Sequence, residues 1–189
     1  MKKGLNRTLS VISKIGEIAS WIAVVAGLVC FAASFDKTFV GEIVADDGGF
    51  LTGIGFNVNA LTQAGDINFF AVTMYFVGVT VAFVLAALIF RNLDIILYII
   101  SGRHKTIQNT SPFQEEVVKR VKKIGILSIA TPVWGFIVTT IIYVVSIING
   151  NPVDVSVSIE GIIVGLICLC LTQIFAYGAS LEKEVDGLL

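Results

Sequence analysis

Four uncharged runs decide what this chain can become: residues 18–35, 67–90, 124–153 and 161–181, the third with its apolar part ending at Ile148. Each is long enough to cross a hydrocarbon layer of about 30 Å as a helix rising about 1.5 Å per residue. In hydrocarbon a segment must satisfy its own backbone N–H and C=O groups, and these runs do not alternate in polarity, so helices rather than strands are predicted. Composition agrees. Hydrophobic residues make up 56% of the 189 and charged ones 14%, more apolar surface than a soluble core hides. The expected fold class is an all-α membrane protein: a four-helix transmembrane bundle forming one domain over residues 1–189, with spans at 15–35, 67–91, 124–148 and 160–181.

Basic residues set the expected orientation. Lys2, Lys3, Arg7 and Lys14 precede the first span, Arg91, Arg103, Lys105, Lys119, Arg120, Lys122 and Lys123 lie between the second and third, and Lys183 is in the tail. Connections 36–66 and 149–159 carry Lys37 against a majority of acids. The positive-inside rule therefore places both termini in the cytoplasm, and the loop 92–123 with them. The first span is read as retained, because its 18-residue run exceeds the apolar region of a usual signal peptide. Cys30, Cys168 and Cys170 all fall inside spans; by number and place they form no disulfide framework and read as small packing residues.

The outer loops read as β-structure. Residues 38–45 and 50–59 are β-prone and flank Asp46-Asp47-Gly48-Gly49, which predicts a hairpin turning at the Asp-Gly step. After Asn149-Gly150-Asn151-Pro152, residues 153–159 alternate through Val153, Val155, Val157 and Ile159 and predict a third strand. Together they are expected to form one small extracellular antiparallel sheet against the top of the bundle. Asp46 and Asp47 read as turn chemistry rather than a cation site.

On the cytoplasmic side the second helix is expected to continue past Arg91 to a glycine stop at Ser101-Gly102. Ser111-Pro112-Phe113-Gln114 is a capping-box pattern that starts a new helix, supported by the i,i+4 pairs Glu115 with Lys119 and Glu116 with Arg120. That helix runs into span three and packs on the extension of span two. Inside the bilayer, Lys14 and Glu17 read as an interfacial pair. Thr172, Gln173 and Tyr177 form the candidate intramembrane polar set of span four, and such residues more often join helices than bind substrate. Glycine-rich phosphate loop, zinc-spaced His/Cys set and nucleophile elbow are all missing, and His104 is a lone imidazole in a basic loop. The chain reads as a non-enzyme with no cofactor and no metal.

Two stretches carry a resemblance. Residues 111–125, SPFQEEVVKRVKKIG, and 171–189, LTQIFAYGASLEKEVDGLL, resemble the signatures of the bacterial domain-of-unknown-function family 2975. The resemblance implies a small four-span protein of the bacterial cytoplasmic membrane. It departs at Ala176, where it implies a basic residue. Both motifs lie at the inner membrane surface, where Glu182, Glu184 and Asp186 are expected to face Lys119, Arg120, Lys122 and Lys123 in a charge-complementary collar, the candidate partner-docking site. Anionic lipid heads are the other expected neighbour of those bases. The function expected is a membrane-embedded regulatory or interaction protein; the alternative is a small transporter or channel component, or an immunity-type protein against membrane-active peptides. Expected partners are the lipid bilayer, a cytoplasmic regulator protein and a second copy of the chain, with no direct contact to nucleic acid.

Overall fold

The computed structural model describes residues 2–46, 48–62, 64–101 and 114–186. Along the chain these form α1 (Lys2–Ala33), α2 (Lys37–Asp46), β1 (Phe50–Thr52), β2 (Phe56–Asn59), α3 (Phe69–Ile100), α4 (Glu115–Ile148), β3 (Val155–Val157) and α5 (Glu160–Asp186). Helices α1, α3, α4 and α5 are long and apolar enough to cross a membrane, so the chain is a multi-pass membrane protein. As the sequence predicts, α3 continues beyond Arg91, and α4 carries its charged first turns straight into the apolar span. The predicted stop at Gly102, the cap at Ser111-Pro112-Phe113, and His104 and Asp47 lie outside the described residues.

The strands form one antiparallel sheet in the order β1-β2-β3. Phe50 pairs with Asn59 and Thr52 with Asn57; on the other side of β2, Phe56 pairs with Val157 and Val58 with Val155. The third strand is where the alternation puts it. The hairpin is not. Residues 38–45, expected as its first strand, lie in helix α2, and the turn falls instead at Gly53-Ile54-Gly55.

Local chemistry explains that correction. Asp36 Oδ1 accepts from the Thr38 N–H at 2.9 Å and caps α2. Phe39, Val40, Ile43 and Val44 recur with helical spacing and pack in one cluster, Val40 and Val44 fully buried. Gly48 and Gly49 then adopt φ of 59° and 86°; Gly49 N–H donates to the Val44 carbonyl at 2.9 Å and Gly48 N–H to Ala45. That is a Schellman stop, so the Gly48-Gly49 pair ends a helix. The same motif ends α4, where Gly150 has φ 70° and donates to Ile147 while Asn151 donates to Ser146.

Contacts divide the chain into two compact units, one of residues 20–85 and 130–161 and one of residues 1–19, 86–129 and 162–189. The first, here the hairpin unit, has a core of Val40, Leu51, Phe56, Val58, Val72, Tyr75, Val138 and Ile142 with their neighbours. The hairpin does not rest on helix tops, as expected from the sequence; it runs down between α3 and α4. Asn68 N–H donates to the Ala60 carbonyl at its upper end, Tyr75 Oη–H donates to the Thr52 carbonyl at 2.7 Å, and a Cβ on Gly53 would meet Val79 at 2.9 Å. Phe56 fills the space above two glycines: a Cβ on Gly78 would lie 2.6 Å from its ring and one on Gly135 3.2 Å from its Cβ. Nearby, Trp134 Nε1–H donates to the Gly78 carbonyl at 3.1 Å.

The second, the helical unit, consists of stretches of the four long helices. Ile96 and Ile99 of α3 pack on Val117 and Val121 of α4, with Ile124 and Phe175 against them. Ser13 Oγ–H donates to the Phe90 carbonyl, and Ser10 Oγ–H to Asp94. The expected Lys14–Glu17 pair is present at 2.7 Å.

Candidate functional site

Among the described residues no group of three or more His, Cys, Asp or Glu side chains is placed to hold a metal ion. Most of the residues that the sequence singles out lie where α4 and α5 run together in the helical unit.

The two helices touch at glycines. A Cβ on Gly125 would stand 3.1 Å from the Gly165 carbonyl oxygen, and one on Gly165 would stand 2.8 Å from that of Gly125 and collide with Ile129. From this crossing the α5 stripe proceeds through Leu169, Thr172, Ala176 and Ala179 at steps of three and four, the spacing of one helix face. Because Ala176, Ala179 and Ser180 are small, a groove of about 300 Å³ is left between them and Glu115, Val118 and Lys119 of α4. Ala176, where the family resemblance implies a basic side chain, is thus a groove wall, and its methyl leaves room a longer side chain would take.

The four predicted bases do different work. Arg120 is committed: its Nε and Nη2 reach Glu116 Oε1 at 2.8 and 2.7 Å, and Nη1 reaches Asn92 Oδ1 at 3.2 Å. Asn92 is buried and donates to the Leu88 carbonyl at 2.7 Å, so the guanidinium ties α4 to α3. Lys119 sits 3.9 Å from Glu115, a solvent-exposed pair at the groove rim. Lys122 and Lys123 are exposed. Lys122 follows Val118 by four residues and Lys119 by three, which puts it on the groove-facing stripe.

On α5, Glu182 is half-buried and Glu184 exposed; the Asp186 side chain lies outside the described residues. The acids that pair with Lys119 and Arg120 are Glu115 and Glu116 of their own helix. Thr172, Gln173 and Tyr177 do not converge. Thr172 is buried and its hydroxyl donates to the Cys168 carbonyl at 2.8 Å, whereas Gln173 and Tyr177, four apart, share an exposed face. Sequence reasoning missed Asn92 and the groove. The signal for the groove was the small pair Ala176 and Ala179 one turn apart on the stripe that begins at Gly165; for Asn92, an amide amid apolar α3 residues.

Comparison with known families decides the affiliation. The family described as "Protein of unknown function (DUF2975)" matches residues 66–187. The chain belongs to this family. The match takes in α3, α4, β3 and α5, and with them every residue of the groove. No curated protein and no solved structure matches the chain.

Proposed function

We propose that this DUF2975 protein is a membrane-embedded interaction protein of the bacterial cytoplasmic membrane, with both termini cytoplasmic, that docks a cytoplasmic regulator protein on its α4–α5 face. The observation that carries the reading is the groove itself: an apolar trough walled by Val118, Ala176 and Ala179, with Lys119 at its rim and exposed Lys122 and Lys123 beside it. Such a surface suits an apolar side chain flanked by carboxylates, because burial of the anchor supplies affinity and the rim charges supply orientation and encounter rate. Arg120 is left out of the docking set, since Glu116 and Asn92 already engage it.

Cross-linking and mass spectrometry on native membranes tests this. Lys122→Gln with Lys123→Gln removes rim charge, and Ala179→Leu fills the trough, while neither touches the Arg120 network. A cytoplasmic protein captured by the wild type and lost in both variants is the expected result. Capture unchanged in both would sink the docking role. Permeation, the other reading, has less to draw on, since Thr172 is buried with its hydroxyl on the Cys168 carbonyl and only Gln173 and Tyr177 share an exposed face.

A further inference from the structure

The hairpin reaches a depth that its sequence does not advertise. Tyr75, Gly78 and Val79, against which it packs, lie six to ten residues inside α3 from Phe69, or about 9–15 Å along the axis. On α4, the hairpin tip at Gly55 abuts Thr131, seventeen residues from the helix end at Ile148, or about 25 Å. The outward faces of α1 and α4 in this unit are mostly apolar: Val25, Leu28 and Val29, and Phe136, Ile137, Ile141 and Val144 are exposed, and the one exposed threonine among them, Thr140, turns its hydroxyl to the Phe136 carbonyl at 2.7 Å. Faces of that kind belong in hydrocarbon.

Yet one face of the sheet at this depth is polar. Leu51, Phe56 and Val58 turn into the core, and the alternate residues Thr52, Asn57 and Ser156 align across the three strands on the opposite face. Asn57 Nδ2–H donates to Ser156 Oγ at 3.3 Å, and both hydroxyl-bearing residues of the row are exposed. The strand then leads to a charge. Ser158 N–H donates to the Gly55 carbonyl at 2.9 Å, and two residues later exposed Glu160 opens α5. A carboxylate and an open sheet edge are tolerated at membrane depth only where protein or water meets them.

We infer that the sheet face of Thr52, Asn57 and Ser156 walls a water-filled recess that enters the membrane-spanning part of the hairpin unit and leads towards Glu160. The row offers water and small molecules groups that donate and accept hydrogen bonds, and exposed Asp154, two residues before Ser156, stands on the same face. Neither the groove nor any partner bound there enters this argument, and failure of either proposal leaves the other standing.

Single cysteines read it out. In full-length protein with Cys30, Cys168 and Cys170 replaced by alanine and reconstituted in vesicles, Ser156→Cys is exposed to a membrane-impermeant methanethiosulfonate cation. Glu42→Cys on α2 serves as the reference in water and Val29→Cys as the reference in lipid. Only a thiolate reacts, and thiolate exists only where water reaches it, so Ser156→Cys is expected within about tenfold of Glu42→Cys and about a hundredfold above Val29→Cys. Labelling at Ser156→Cys as slow as at Val29→Cys would overturn the recess by showing the face covered by lipid or another chain. Equally fast labelling at Val29→Cys would overturn it by placing the whole unit in water. Asn57→Cys repeats the measurement from the central strand in case Ser156→Cys does not fold.

Discussion

The hairpin unit and the helical unit solve the same problem with different materials. In the hairpin unit a large ring does the packing: Phe56 meets Tyr75 edge to face at 5.9 Å and closes over Gly78 and Gly135. In the helical unit the corresponding close approach is backbone on backbone at Gly125 and Gly165, with the polar Arg120, Glu116 and Asn92 set joining α3 to α4. The contrast teaches that one unit buries apolar side chains against strands as well as helices, while the other adds to a smaller helix–helix cluster the small residues and hydrogen bonds usual in helix association in lipid.

Four substitutions sharpen the contrast. Phe56→Ala empties the centre of the hairpin unit, where the ring is 1% exposed, and is expected to cost about 3–5 kcal/mol, read as loss of the folded fraction in detergent denaturation. Gly165→Val forces α5 off α4 and is expected to cost about 1–3 kcal/mol in the same assay. If it instead proved as damaging as Phe56→Ala, the two units would not differ in how their stability is distributed. Tyr75→Phe removes the hydrogen bond to the Thr52 carbonyl and is expected to lose about 0.5–1.5 kcal/mol, with faster amide exchange confined to residues 50–59. Smallest is Lys119→Gln: its partner is 3.9 Å away and both side chains are solvated, so a change of about 0–0.5 kcal/mol is expected, and thermal midpoints should be indistinguishable.

Much of this was readable from residues, and the parts that were not have a common cause. The four spans, the third strand and the pairs Glu115–Lys119 and Glu116–Arg120 follow from hydropathy, period and spacing, which are local. Helix α2 was hidden because Val40, Ile43 and Val44 are β-branched, and their i,i+4 recurrence carried the decisive information against propensity. The depth of the hairpin was hidden because hydropathy cannot distinguish a side chain facing lipid from one facing protein. Hydropathy places Ala71, Val72, Tyr75, Phe76 and Val79 in a span without saying what they face, and they are buried against the sheet and its surroundings. For the candidate site, the basic stripe was legible from the sequence. Its division into a committed Arg120 and exposed Lys122 and Lys123 depended on Asn92, twenty-eight residues away along the chain.

The order of the sheet also constrains how the protein is made. Strand β2 is central, and its second neighbour is β3, so Phe56 waits for Val157, about a hundred residues further on. At a synthesis rate of about 5–20 residues per second, that interval lasts about 5–20 s, long after α1 and α3 have left the ribosome. During it the hairpin has one unpaired side, and until Val138 of α4 has been made its slot against that helix is incomplete. Insertion machinery must therefore hold a half-finished sheet, and release of the nascent chain before β3 emerges would leave a strand edge open to any neighbouring copy in the membrane.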